Sequence, residues 1–118
     1  MGNIRLNAIV VTGGSYEEAE EKFIASYEKA KELFGGMVSN VVKSVANNFQ
    51  SYFIAPDGSK DGRKLWEDYC LKRNEFSDFI DSLANGDGSN YVTFVDVGYT
   101  TYGEASIDRT NYQIPDIH

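Results

Sequence analysis

Residues 3–12 read Asn-Ile-Arg-Leu-Asn-Ala-Ile-Val-Val-Thr. Ile4, Leu6, Ala8 and Val10 alternate with Arg5, Asn7, Ile9 and Val11, so the run begins polar on one face and ends apolar on both. A half-buried strand alternates with period two, and a strand covered on both sides stays apolar throughout. The pattern predicts a strand near the centre of a sheet, stopping at Gly13-Gly14. A central strand needs partners on both edges, and the rest of the chain must supply them.

The next segment is helical. Ser15-Tyr16-Glu17-Glu18 has the form of a capping box, in which the serine hydroxyl and Glu18 each take up a free backbone N–H. Tyr16, Ala19, Phe23, Tyr27, Ala30 and Phe34 recur at helical spacing, and Ile24 and Leu33 widen the stripe. Glu17, Glu18, Glu20 and Glu21 fall in the first turns and Lys29 and Lys31 near the end, both suited to the helix dipole. Gly35-Gly36 ends the helix.

Met37, Val38, Val41, Val42 and Val45 fit a helical stripe, yet four of the five are β-branched. Asn47-Asn48 offers a turn, because Asn tolerates left-handed backbone angles, and residues 49–55 follow as a strand. The pair reads as a β-hairpin. Pro56-Asp57-Gly58 makes a turn, Ser59 stands where an N-cap would, and a second helix follows. Its buried stripe is Leu65, Trp66, Tyr69, Phe76, Phe79, Ile80 and Leu83, closed by Asn85-Gly86. Residues 91–97 form a further strand, and residues 104–109 return as a short edge strand.

The order β-α-β-β-α-β plus one strand predicts an α+β fold. It is the ferredoxin-like split arrangement, an antiparallel sheet with two helices on one face and an extra C-terminal strand. Residues 1–110 are expected to form a single domain and residues 111–118 a draped tail, in a chain of 118 residues. No apolar run is long enough to span a membrane, and the first residues lack the apolar core of a signal peptide. The expectation is a soluble, cytoplasmic domain.

Little in the sequence favours catalysis. The one histidine, His118, is the last residue, and the one cysteine, Cys70, falls beside the apolar stripe of the second helix as a semi-buried structural thiol. Gly13-Gly14-Ser15 has neither the dinucleotide nor the P-loop spacing. The run Asn85 to Asn90, with Asp96 at the twelfth position, has the oxygen side chains of a calcium loop but Asn90 where that loop needs glycine. No catalytic residue, metal ligand or cofactor is expected, and the chain reads as a non-enzyme.

Binding is better supported. The net charge is −7 and is unevenly placed. Residues 15–34 carry six acids against three bases and residues 96–118 four against one, whereas the second helix is nearly balanced. The first helix therefore presents Glu17, Glu18, Glu20 and Glu21 to a partner, in the manner of a nucleic-acid mimic. The other candidate is the open face of the sheet, with Tyr52, Tyr91, Tyr99 and Tyr102 on it or at its rim. Without basic residues beside those aromatics, direct nucleic-acid binding is not expected, nor is binding to a membrane surface. The partner expected is a protein, with a homodimer contact or a self-assembling structural component as the alternative, and a small-molecule pocket as a third.

Residues 52–62, Tyr-Phe-Ile-Ala-Pro-Asp-Gly-Ser-Lys-Asp-Gly, resemble a phenylalanine-rich FFIAPDGSKEG segment carried by a group of small uncharacterised phage and prophage proteins. The similarity continues through a helix, a Gly/Asp/Ser loop and a strand, over about half the chain. What the resemblance implies is origin: a viral or mobile-element accessory protein acting in a bacterial cytoplasm. It implies no activity.

Overall fold

A computed structural model describes residues 4–60 and 62–112. Over that span the chain is α+β, with two helices and a five-stranded antiparallel sheet. Strand β1 (Arg5–Gly14) leads into helix α1 (Glu17–Phe34), a 3-10 turn (Gly35–Met37), β2 (Val42–Lys43) and β3 (Phe49–Ile54). Helix α2 (Lys64–Ser82), β4 (Val92–Thr100) and β5 (Ala105–Thr110) complete it. The strand order is β2-β3-β1-β4-β5. β1 thus pairs with β3 on one edge and β4 on the other, the central place its apolarity predicts.

Strand pairing puts like positions on one face. Ile9 lies opposite Ile54 and Asp96, and Val11 opposite Tyr52 and Phe94. Both helices cover this side. Phe23, Ala30 and Phe34 of α1 and Tyr69, Phe76 and Ile80 of α2 join Ile9, Val11, Ile54, Val92 and Phe94 in one core. The two helices meet through edge-on aromatic pairs, Phe34 with Tyr69 at 5.6 Å and with Phe76 at 5.9 Å between ring centroids. Gly13 permits this packing at the far end of β1, where a Cβ would sit 2.7 Å from Cδ1 of Phe23.

Several local expectations give way to longer-range bonds. Ser15 does not cap α1: its N–H and its hydroxyl both donate to the Asn48 carbonyl, at 2.9 and 3.0 Å. The N-cap position falls to Tyr16, with no side-chain bond. Ser59 does not cap α2, because Asp57 Oδ1 accepts both its N–H and its hydroxyl, and the helix begins five residues later at Lys64. α2 ends at Ser82, so Asn85-Gly86 lies beyond it, and Leu65 is exposed rather than in the stripe. The first hairpin arm shrinks to Val42–Lys43, since the 3-10 turn and a bridge from Val38 to Ile54 take up the residues before it. The turn itself is as expected, with positive φ at Asn47 (63°) and Asn48 (54°).

Asn111, expected to open the tail, instead extends the β4–β5 ladder through its side chain. Its Oδ1 accepts the Phe94 N–H at 3.0 Å and its Nδ2 donates to the Val92 carbonyl at 2.8 Å. Residues 113–118, with His118, lie outside the described residues. Among the described residues no helix is long and apolar enough to cross a membrane.

Phe94 is fully buried beneath both helices, whereas Leu71 is exposed on α2. Phe94→Ala is therefore expected to cost ~3–5 kcal/mol of unfolding free energy. Leu71→Ala should stay within ~0.5 kcal/mol, both read from urea denaturation midpoints.

Candidate functional site

Two features of the sheet stand out, one on each face. Under α2, the helix-facing side of β1, β4 and β5 carries a closed network of charged groups. Asp96 is 2% exposed. Its Oδ2 accepts Nε of Arg73 at 2.9 Å, and its Oδ1 accepts Nδ2 of Asn7 at 3.0 Å. The same Asn7 amide donates to Asp108 Oδ2 at 2.7 Å, and Arg5 Nη2 donates to Asp108 Oδ1 at 2.9 Å.

Two backbone features make room for the network. A β-bulge between Asp96 and Val97 places Asp108 and Arg109 side by side, and Arg109 reaches Asp78 and Asp81 of α2 at 2.7 and 2.9 Å. Gly98 leaves the space that Asp108 fills, since a Cβ there would lie 2.6 Å from its Oδ2 and overlap the Arg5 guanidinium. Tyr69, from α2, donates to the Asn7 and Ala55 carbonyls at 3.2 and 2.8 Å and so ties the helix to β1 and to the end of β3.

The electrostatics mark this network as structural. Partial burial alone would raise the Asp108 carboxyl. Hydrogen bonds from Asn7, Arg5 and Ser106, with the Arg5 charge, outweigh that and hold it below the usual carboxylate range. Burial pushes the Tyr69 hydroxyl up. Cys70 is half-buried; burial raises its thiol, against the opposing influence of Arg73, whose Nη1 donates to Sγ at 3.4 Å. A raised thiol is a poor nucleophile. Every carboxylate in the network is engaged by a donor.

Among the described residues no helix lies over the opposite face of the sheet. Cross-strand rows run Phe53–Val10–Val95–Thr110, then Val97 between Ala8 and Ile107, then Tyr99 between Leu6 and Ala105. Ser51, Thr12 and Thr93 form a hydroxyl row at one end, with Val42 beside Ser51. Among the described strand residues this face carries no charged side chain. Arg5, Lys43, Asp96, Asp108 and Arg109 all lie on the helix side. An antiparallel sheet with one wetted face ordinarily reverses this pattern. Val10 is 46% exposed, Phe53 45% and Ile107 58%.

The residues singled out from sequence are scattered. Tyr52 is not on the open face: it is 2% exposed, between edge-on Phe23 and Tyr27 rings, with its hydroxyl 2.9 Å from Ser26 Oγ. Burial raises its pKa. Its place in β3 opposite Val11 turns it toward α1, which corrects its assignment to a partner surface. Tyr99 does lie on the open face. Tyr91 sits at one end of β4 under Lys22, whose Nζ is 5.6 Å from the ring centroid, and Tyr102 is exposed in the turn at the other end. Glu17, Glu18 and Glu21 are exposed, while Glu20 is half-buried. Glu18 stands 3.9 Å from Lys22, and Glu17, Glu18 and Glu20 occupy the first turn of α1, where acids stabilise the helix itself.

Sequence reading missed Val10, Phe53, Val95, Val97 and Ile107. The signal the sequence offers is the absence of charge on both parities of β1 after Arg5, a pattern that a central strand shows equally.

Among the described residues no other set of polar groups converges on open space. A depression of about 520 Å³ is lined by Asp81, Asp87, Ser89, Asn90 and Tyr112, among others. Its polar groups are committed: Asp81 to Arg109, Asp87 to Ser89, and Asn90 to the Ile80 carbonyl and the Val92 N–H. Asp96, twelfth in the calcium-like run, is turned under the sheet to Arg73. Among the described residues no three His, Cys, Asp or Glu side chains gather to hold a metal ion.

Comparison with protein-family models, with curated proteins and with solved structures finds no match to the chain.

The network makes two predictions. Arg73→Ala leaves Asp96 buried without its cation and is expected to cost ~3–5 kcal/mol, while Arg73→Leu with Asp96→Leu should recover most of the loss in chemical denaturation. Asp108, held below the usual range, contributes stability that is fully present above the unfolded carboxylate value of ~3.9 and is lost as pH falls through its folded value. The stability gap between wild type and Asp108→Asn should therefore be constant near neutrality and close on acidification, read from melting curves across pH.

Proposed function

We propose that the chain is a non-enzymatic protein-interaction domain that works through the open face of its sheet. The observation that carries the reading is the uncharged, apolar surface running from Phe53 across Val10 and Val95 to Ile107, with no element of the described chain covering it. Apolar surface with charge excluded from its centre is the composition of an interface core. The ion pairs under α2 support the non-enzymatic part, because they are closed on one another and serve packing.

The scaffold is read as ferredoxin-like, with β1 between β3 and β4, hairpin partner β2 outside β3, and β5 as the added strand. The resemblance of residues 52–62 to phage and prophage proteins supports an origin in a mobile element and a role in a bacterial cytoplasm. The acidic start of α1 ranks second as a contact surface, since the helix dipole already accounts for those positions.

Capture from bacterial lysate on the immobilised chain separates the two surfaces. The Val10→Lys, Val95→Lys variant should lose the bound proteins, and the Glu17, Glu18, Glu20, Glu21→Lys variant should keep them. The reverse pattern overturns the assignment to the sheet face.

A further inference from the structure

The reading above leaves the occupant of the face open, and the inference that follows rests on it. We infer that the open face of the sheet is occupied by a second copy of this chain, packed face to face about a two-fold axis. Three observations favour a copy over any other occupant.

The first is charge. The chain is −7 overall, yet the face bears no charged side chain among its described strand residues. A surface with no charge has nothing with which to recognise a charged partner, and a two-fold operator sets it against an equally uncharged surface without like-charge repulsion. Face-to-face packing also sends the α1 helix of each copy to the outside. The two acidic clusters are then separated by both sheets, much farther than the ~8 Å over which charges act at physiological salt.

The second is area. Strands of ten, two, six, nine and six residues, rising ~3.3 Å per residue and ~4.8 Å apart, give roughly 500–550 Å² per copy. A pair therefore buries about 1,000–1,100 Å², which reaches the ~1,000 Å² expected of a specific interface and sits at its small end. The association should be reversible in the micromolar range.

The third concerns the sheet edges, the other route by which such a protein self-associates. β2 is two residues long and carries Lys43. β5 is bulged and carries Asp108 and Arg109. Short, charged and bulged edges resist strand addition. With both edges blunted, the face is the surface left for a copy.

Light scattering on the full chain after gel filtration tests this, over a concentration series through the micromolar range at low and high salt. The mass should rise from 13.2 kDa towards twice that value and should not fall as salt is raised, since burial of apolar surface is not screened. The Val10→Lys, Val95→Lys variant should remain at the monomer mass with an unchanged circular dichroism spectrum, and its melting curve should match that of wild type at concentrations low enough for both to be monomeric. The Glu17, Glu18, Glu20, Glu21→Lys variant should dimerise like wild type. A full chain that stays monomeric at every concentration overturns the proposal, as does a dimer indifferent to the lysine pair. A monomer whose capture of lysate proteins still depends on Val10 and Val95 removes the second copy while keeping the sheet face as an interaction surface. A monomer whose capture is also indifferent to them removes both.

Discussion

Strand β1 is hydrogen-bonded along both edges, to β3 over residues 9–14 and to β4 over residues 5–13. Every other element takes its position from that strand. Its helix-facing residues Ile9 and Val11 are where the apolar stripes of α1 and α2 converge, and its polar N-terminal half supplies Arg5 and Asn7 to the ion network. The central strand therefore joins an apolar core to a charged one, and the change from one to the other occurs between Asn7 and Ile9.

The two cores serve different ends. Hydrophobic burial under α1 supplies non-directional stabilisation. The Asp96–Arg73 pair and the bonds to Asn7 and Asp108 are directional, and they determine where α2 and β5 sit relative to β1. A buried pair of this kind is weak as a source of net stability, because removing two charges from water costs about as much as their attraction returns. Its consequence is geometric. It requires the bulge in β5 and the missing side chain at Gly98, and it draws the charged side chains of β4 and β5 to the helix side. The opposite face is left apolar, without a charged side chain among its described strand residues.

Much of the element order was legible in the chain, because hydrophobic periodicity reports which residues share a face. The central strand, both helices, the Asn47-Asn48 turn and the returning edge strand all follow from spacing and turn chemistry. Helix starts were less legible. Ser15 and Ser59 each have the chemistry of a cap, but each hydroxyl is taken by another acceptor, the Asn48 carbonyl and the Asp57 carboxylate. A cap is worth about 1 kcal/mol, so a competing bond of similar strength displaces it.

Composition and spacing alone determined that this is an acidic α+β chain with one strand apolar on both sides and with a single histidine and a single cysteine. Only the tertiary structure decided which of that strand's two apolar sides the helices cover. Sequence alone places Tyr52 among the aromatics of the open face or its rim, but its register opposite Val11 turns it into the core, while Val10, Phe53, Val95 and Ile107 lie on the face that neither helix covers. The reason is that strand residues alternate strictly between two faces. A sequence shows which residues lie together on one face, but the placement of helices against the sheet determines which of the two faces is covered.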